Sequence, residues 1–230
     1  MNILIPPWFY GFDSVMYLIS ALVGLLLSYY FYKIHSISSE KRHSYLYFGF
    51  LLLSFGLLSL SITGMFSYLT LNNCVASCSL GLLDNAFSLE DFSYLLYFAL
   101  SISAYALFML AYLPKKFSIP KLPMIFFLLY FLSLLILLPV TGGIWYEYHE
   151  FFHLTAFLMV SFISFRNMIN YKGRRDTNSL LVFIAFIFLS MFHLFHIFSF
   201  VSAWMYVFAH IFMLISFTSL LFMVARVKKK

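Results

Sequence analysis

The sequence predicts an all-α, polytopic membrane protein of seven transmembrane helices. Three observations carry the prediction: the weight of apolar residues, their grouping into seven runs of spanning length, and the confinement of basic residues to alternate gaps. Of 230 residues, 63% are hydrophobic and 10% charged, with a mean hydropathy of +0.96. Soluble domains carry about 25% charged residues, so this composition excludes an ordinary soluble enzyme or binding module.

A helix needs roughly 20 apolar residues to cross about 30 Å of hydrocarbon. Runs of that kind fall at about 14–32, 44–68, 92–113, 122–141, 147–166, 179–200 and 203–225. Residues 1–230 therefore read as a single membrane domain. The start, "MNILIPPWFYGFD", has neither a basic leader nor a small-residue cleavage site, so the first span is expected to stay as an anchor. In the second span Gly49, Gly56 and Gly64 are spaced by seven and eight, one face for a close helix contact. The fourth span ends before Gly142 and Gly143, and the fifth opens with "HEFFH", residues 149–153.

Charge gives the orientation, because Lys and Arg flanking a span stay cytoplasmic. Lys33, Lys41 and Arg42 lie between spans one and two, Lys115, Lys116 and Lys121 between three and four, and Arg166, Lys172, Arg174 and Arg175 between five and six. Arg226 and Lys228 to Lys230 follow span seven. All 14 basic residues thus fall on one side, while Asp13, Asp84, Glu90, Asp91, Glu147 and Glu150 mark the other. The expected placement is the cell membrane, N-terminus outside and C-terminus cytoplasmic. The net charge of +6 is a topology signal and calls for no nucleic-acid partner. Cys74 and Cys78 share an outer loop, where a local disulfide, free thiols and soft-metal ligation all remain open.

Self-comparison adds a repeat. "YKIHSISSEKRHSYLYFGFLLLSFGLL" and "NYKGRRDTNSLLVFIAFIFLSMFHLF" share a basic turn followed by an apolar span at an offset of 136, placing Ser54 against Ser190 and Gly49 against Ala185. The third span ends "LAYLPKK" and the seventh "MVARVKKK". This predicts a three-helix unit over 1–113, a linker helix in 114–145 and a second unit over 146–230. An odd linker leaves both units in one orientation, the parallel 3+1+3 plan of SWEET-type sugar transporters. The Pro-Gln pairs of the PQ-loop relatives of those transporters are absent, so the likeness is architectural.

"WFYGFDSVMYLISALVGLLLSYYFYKI" and "HIFSFVSAWMYVFAHIFMLISFTSLLFMV" resemble uncharacterised archaeal seven-span membrane proteins, which begin with a Trp-aromatic-Gly-aromatic-Asp element and end in a His-containing span. The resemblance covers most of the chain and implies seven spans with no activity to transfer. Ala209 stands where that pattern places Gly beside the last-span histidine.

The histidines are the chemically informative residues. Of seven, His35 and His43 belong to a basic turn, and five map to the outer third of the last three spans. At 1.5 Å per residue, His149 and His196 lie about one turn deep, and His153, His193 and His210 about two. Spacings of four (His149, His153) and three (His193, His196) put each pair on one helix face. Polar groups at such depth face the bundle interior and seek partners, and imidazole is the commonest side-chain metal ligand.

His149, Glu150, His153, His193, His196 and His210 are therefore the candidate ligands for a divalent Zn, Cu or Fe ion. The alternatives are imidazoles bonded to water, Glu147 or backbone without metal, and a proton relay. Haem ligation by His153 with His210 or His193 fits less well, because spans five to seven hold no Gly to admit the macrocycle. H-E-x-x-H on a helix supplies two zinc ligands and a base, here Glu150. An intramembrane protease of the site-2 type also needs an Asp on another span; "LLDN" with Asp84 lies in an outer loop, so no catalytic residue is assigned. P-loop, G-x-G-x-x-G and G-x-S-x-G motifs are absent, as is a mid-helix Lys in span seven for a retinal.

The expected function is an integral membrane protein whose outward-facing His/Glu pocket binds a metal ion for sensing, carriage or redox work. The alternatives are a small-solute or proton-coupled transporter or sensor without metal, and a subunit of a larger complex. Beyond the lipid bilayer, a protein partner or homo-oligomer stays open.

Overall fold

A computed structural model describes residues 5–9, 11–74, 89–113 and 145–227. In hydrocarbon a spanning segment has to satisfy its own backbone, and helices do so within one segment. Helices are accordingly the only regular elements among the described residues. A 3-10 turn, Pro7–Phe9, precedes α1 (Phe12–Ser38), α2 (Lys41–Cys74), α3 (Leu89–Tyr112), α4 (Trp145–Arg174), α5 (Thr177–Ile197) and α6 (Ala203–Val227). All six are long and apolar enough to cross a membrane.

These six are the predicted spans one to three and five to seven. The predicted fourth span at 122–141 lies outside the described residues, and with it Lys115, Lys116, Lys121, Gly142 and Gly143. Asp84, Cys78 and Lys228 to Lys230 also lie outside them, as do the side chains of Cys74, Glu90, Asp91 and Glu147.

Each helix packs on its neighbour in the chain, and α6 closes back onto α1. Packing is most extensive within α1–α2–α3 and within α4–α5–α6, with thinner seams at α3–α4 and α1–α6. Those two seams are parallel. Tyr94 faces His149, Phe98 stacks on Phe152 at 4.0 Å, and Tyr112 lies beside Asn167, so α3 and α4 run the same way. Tyr206 bonds Asp13, Tyr17 meets His210, and Phe217 approaches Gly24, so α6 and α1 do as well.

Because lipid tails are as apolar as leucine, helices in a bilayer are held by close packing and interhelical hydrogen bonds. Small hydroxyls do this here: Ser61 Oγ donates to the Ser14 carbonyl at 2.8 Å, Ser28 Oγ to the Tyr47 carbonyl at 3.1 Å, and Ser161 and Ser190 share a 2.7 Å bond. At Gly24 even a methyl group would collide with Ser54 Oγ, so α1 and α2 cross with no room for a side chain there. Large apolar side chains such as Leu26, Phe55, Leu158 and Phe222 are left on the outer surface, as a lipid-facing bundle requires.

Two connections share one design. Ser39 ends α1 with φ 53° and donates its N–H to the His35 carbonyl, and Arg175 ends α4 with φ 52° and donates to the Tyr171 carbonyl. An acid follows each, Glu40 and Asp176. Asp176 caps α5 by accepting the Ser179 N–H at 3.1 Å. The basic residues of these turns and Arg226 sit at one end of the bundle, and the five deep histidines near the other.

Candidate metal centre

The i, i+4 spacing of His149 and His153 puts both rings on the inner face of α4, with centroids 4.2 Å apart. From α5, His196 comes up against them, stacked on His153 at 4.5 Å and 5.5 Å from His149. Each of the three can offer a ring nitrogen so that all three atoms lie within 4.8 Å of one another. All are buried, none more than 4% exposed.

The other two deep histidines surround this trio. His193, one turn before His196, places Nδ1 at 2.9 Å from His153 Nδ1, and its Nε2 lies 2.8 Å from the Tyr105 hydroxyl. His210 of α6 has its ring centroid 5.2 Å from that of His196, and its Nδ1 is 2.8 Å from the Tyr206 carbonyl. A carbonyl only accepts, so His210 Nδ1 carries the proton and Nε2 presents a lone pair. Glu150 is half-buried and does not belong to the gathered trio. His35 and His43 lie at the opposite end, beside Glu40.

The surroundings are aromatic. Phe192 contacts His153, His193, His196 and His210, while Phe152 covers His153 and His193. On the outer side the N-terminal turn folds in: Phe9, 1% exposed, packs edge-on against Tyr206 and His210. Among the described residues the five deep histidines lie buried in a nest of aromatic rings.

Within that nest both nitrogens of His149, both of His196 and Nε2 of His210 are buried with no hydrogen-bond partner. A buried polar atom left unsatisfied costs about 1–3 kcal/mol. Five such atoms in one cluster are an arrangement a fold sustains when something else engages them. A cation does so for the lone pairs, because imidazole nitrogen donates to Zn, Cu, Fe and Ni alike.

Sequence reasoning missed several supporting residues. Tyr105 arrives from α3, Tyr206 from α6, and Asp13, whose Oδ2 accepts the Tyr206 hydroxyl at 2.8 Å, from α1. The sequence marks Asp13 as an outer-side acid and as part of the N-terminal aromatic-Gly-aromatic-Asp element, with no link to the histidines. A signal was nonetheless present, since the repeat offset of 136 carries Asp13 onto His149 and Tyr17 onto His153.

No protein family, curated protein or solved structure matches this chain. The functional reading accordingly rests on the residues themselves.

Proposed function

We propose that this protein is a multi-pass membrane protein holding one divalent metal ion, of the zinc, copper or iron kind, on His149, His153 and His196. The observation that carries this is three buried imidazoles whose donor atoms lie within 4.8 Å, with all four ring nitrogens of His149 and His196 lacking other partners. Three protein ligands leave one coordination position for water or a small ligand, the arrangement used where an ion works rather than merely braces the fold. Sensing, carriage and redox work are the roles such an ion serves here.

The proposed topology is seven crossings with the N-terminus outside. Its support is the parallel course of α3 and α4, which obliges the chain between them to return to its starting side if both cross a bilayer. A duplicated origin is proposed with it. Ser39 and Arg175, Glu40 and Asp176, and Ser54 and Ser190 are each 136 residues apart; the first pair shares a left-handed turn, and each serine of the last pair sits at a crossing with the preceding helix.

The test is elemental analysis of gently purified full-length protein, beside a variant with His149, His153 and His196 all changed to Ala. About one ion per wild-type chain is expected and less than about 0.2 in the variant. Wild-type protein carrying no more than the variant removes the proposal.

A further inference from the structure

The five deep histidines divide into two layers when their protons are assigned. A neutral imidazole has one N–H and one lone pair, so a ring that gives its lone pair to an ion is held best where its remaining N–H meets an acceptor. Ligand histidines almost always do this, and the acceptor fixes both tautomer and ring orientation. His153 meets the requirement through His193: with an ion on Nε2, its Nδ1–H donates to His193 Nδ1 at 2.9 Å. His193 Nε2–H then donates to the Tyr105 oxygen at 2.8 Å. Both nitrogens of His193 are committed, and none is left for metal.

His196 poses the same question on the other side. Its two nitrogens have no partner, and the lone pair facing the neighbouring seam is His210 Nε2, itself unpartnered and 0% exposed. His210 is fixed in that tautomer by the Tyr206 carbonyl. The rings of His196 and His210 are 5.2 Å apart at 63°, against 5.1 Å at 46° for the bonded pair His153 and His193. The two ring separations are thus nearly equal, although His196 and His210 share no hydrogen bond in this arrangement.

We propose that His193 and His210 are positioning residues, each accepting the N–H of a metal-bound imidazole, and that the ion's own ligands are His149, His153 and His196 alone. This rests on the metal-centre reading and narrows it. His193 and His210 leave the ligand set, and the ion's fourth position stays free for an exogenous donor. The polarity of both chains runs outward, from the ion through one imidazole to a second, and from there to the Tyr105 oxygen or the Tyr206 carbonyl.

The experiment loads full-length protein in lipid nanodiscs with Co²⁺ or Zn²⁺, measuring ions per chain, affinity by chelator competition, and the number of bound imidazoles by X-ray absorption. Wild type is expected to hold one ion on three imidazoles. His193→Ala and His210→Ala should keep three imidazoles and bind about 10- to 100-fold more weakly. His193→Asn and His210→Gln, which restore an acceptor near the lost nitrogen, should recover much of that loss. Tyr105→Phe, which leaves the packing nearly intact, should weaken binding by a smaller factor, and it decides the matter should an Ala variant fail to fold.

A drop to two imidazoles in either Ala variant, or unchanged affinity in both and in Tyr105→Phe, overturns the layering while leaving the metal centre standing. A wild type that takes up no stoichiometric ion overturns both.

Discussion

His210 gives its Nδ1 proton to the backbone carbonyl of Tyr206, while the hydroxyl of the same tyrosine donates to Asp13. One residue thus ties the centre to α1 by its side chain and orients an imidazole by its main chain. The two jobs separate on mutation. Tyr206→Phe keeps the carbonyl, so metal affinity should stay within about threefold of wild type. The lost bond to the Asp13 carboxyl, about 1.5–3 kcal/mol for a hydrogen bond to a charged group, should appear as a lower thermal midpoint in detergent.

Removing a proposed ligand has a different signature. His149→Ala, His153→Ala and His196→Ala should each lower affinity by more than about 100-fold, beyond the range expected for supporting residues. Glu150→Gln should bind the ion as wild type does, because Glu150 stands outside the trio. Calorimetric titration with Zn²⁺ checks all four, and a large loss in Glu150→Gln would return the carboxylate to the ligand set.

The α1–α2 crossing makes a packing prediction. A methyl on Gly24 meets Ser54 Oγ, whose own bond to the Phe50 carbonyl at 2.6 Å resists displacement. Gly24→Ala should cost about 1–3 kcal/mol, as overpacking does. Gly24→Ala with Ser54→Ala should regain most of it, since the colliding oxygen is gone. The readout is unfolding in mixed micelles.

Asp176 supplies the pH dependence. The hydrogen bond from Ser179 holds its carboxyl below the usual range, so the folded state binds the proton less readily than the unfolded chain. The cap therefore contributes stability above the ordinary aspartate range, and that contribution fades as pH falls through the lowered folded value. Asp176→Ala should be less stable than wild type at pH 7 and indistinguishable from it near pH 2, in thermal melts at both pH values.

Topology can be read with single cysteines in a background where Cys74 and Cys78 are serine. Leu113→Cys and Trp145→Cys should be labelled by impermeant reagent from opposite faces of the membrane, Leu113 from the cytoplasm. Labelling from one face would reduce the crossings to six.

Much of this was legible in the residues, because the physics involved is local. Run length and hydropathy gave the six described spans, and helix periodicity put His149 beside His153. What periodicity does not give is how two helices rotate against one another. His193 and His196 share a face of α5, and only the packing of that face on α4 and α3 sets one against Tyr105 and brings the other to the trio. Tyr105 carries no sequence signal at all, being one of 17 tyrosines. The H-E-x-x-H motif groups Glu150 with the histidines, and on a helix the position after His149 is turned about 100° from it, so Glu150 lies outside the gathered trio.

The turn at Arg175 and Asp176 has a mechanical meaning for the opposite end of the bundle. It joins α4, which carries His149 and His153, to α5, which carries His196, and α5 extends about 30 Å from that joint. The hairpin acts as a pair of tongs with its pivot among the arginines, so a splay of about 5° there, over a helix of that length, spreads the jaws by about 2.5 Å. Whatever touches the basic rim, an acidic headgroup or a neighbouring protein, thereby has purchase on the grip at the other end.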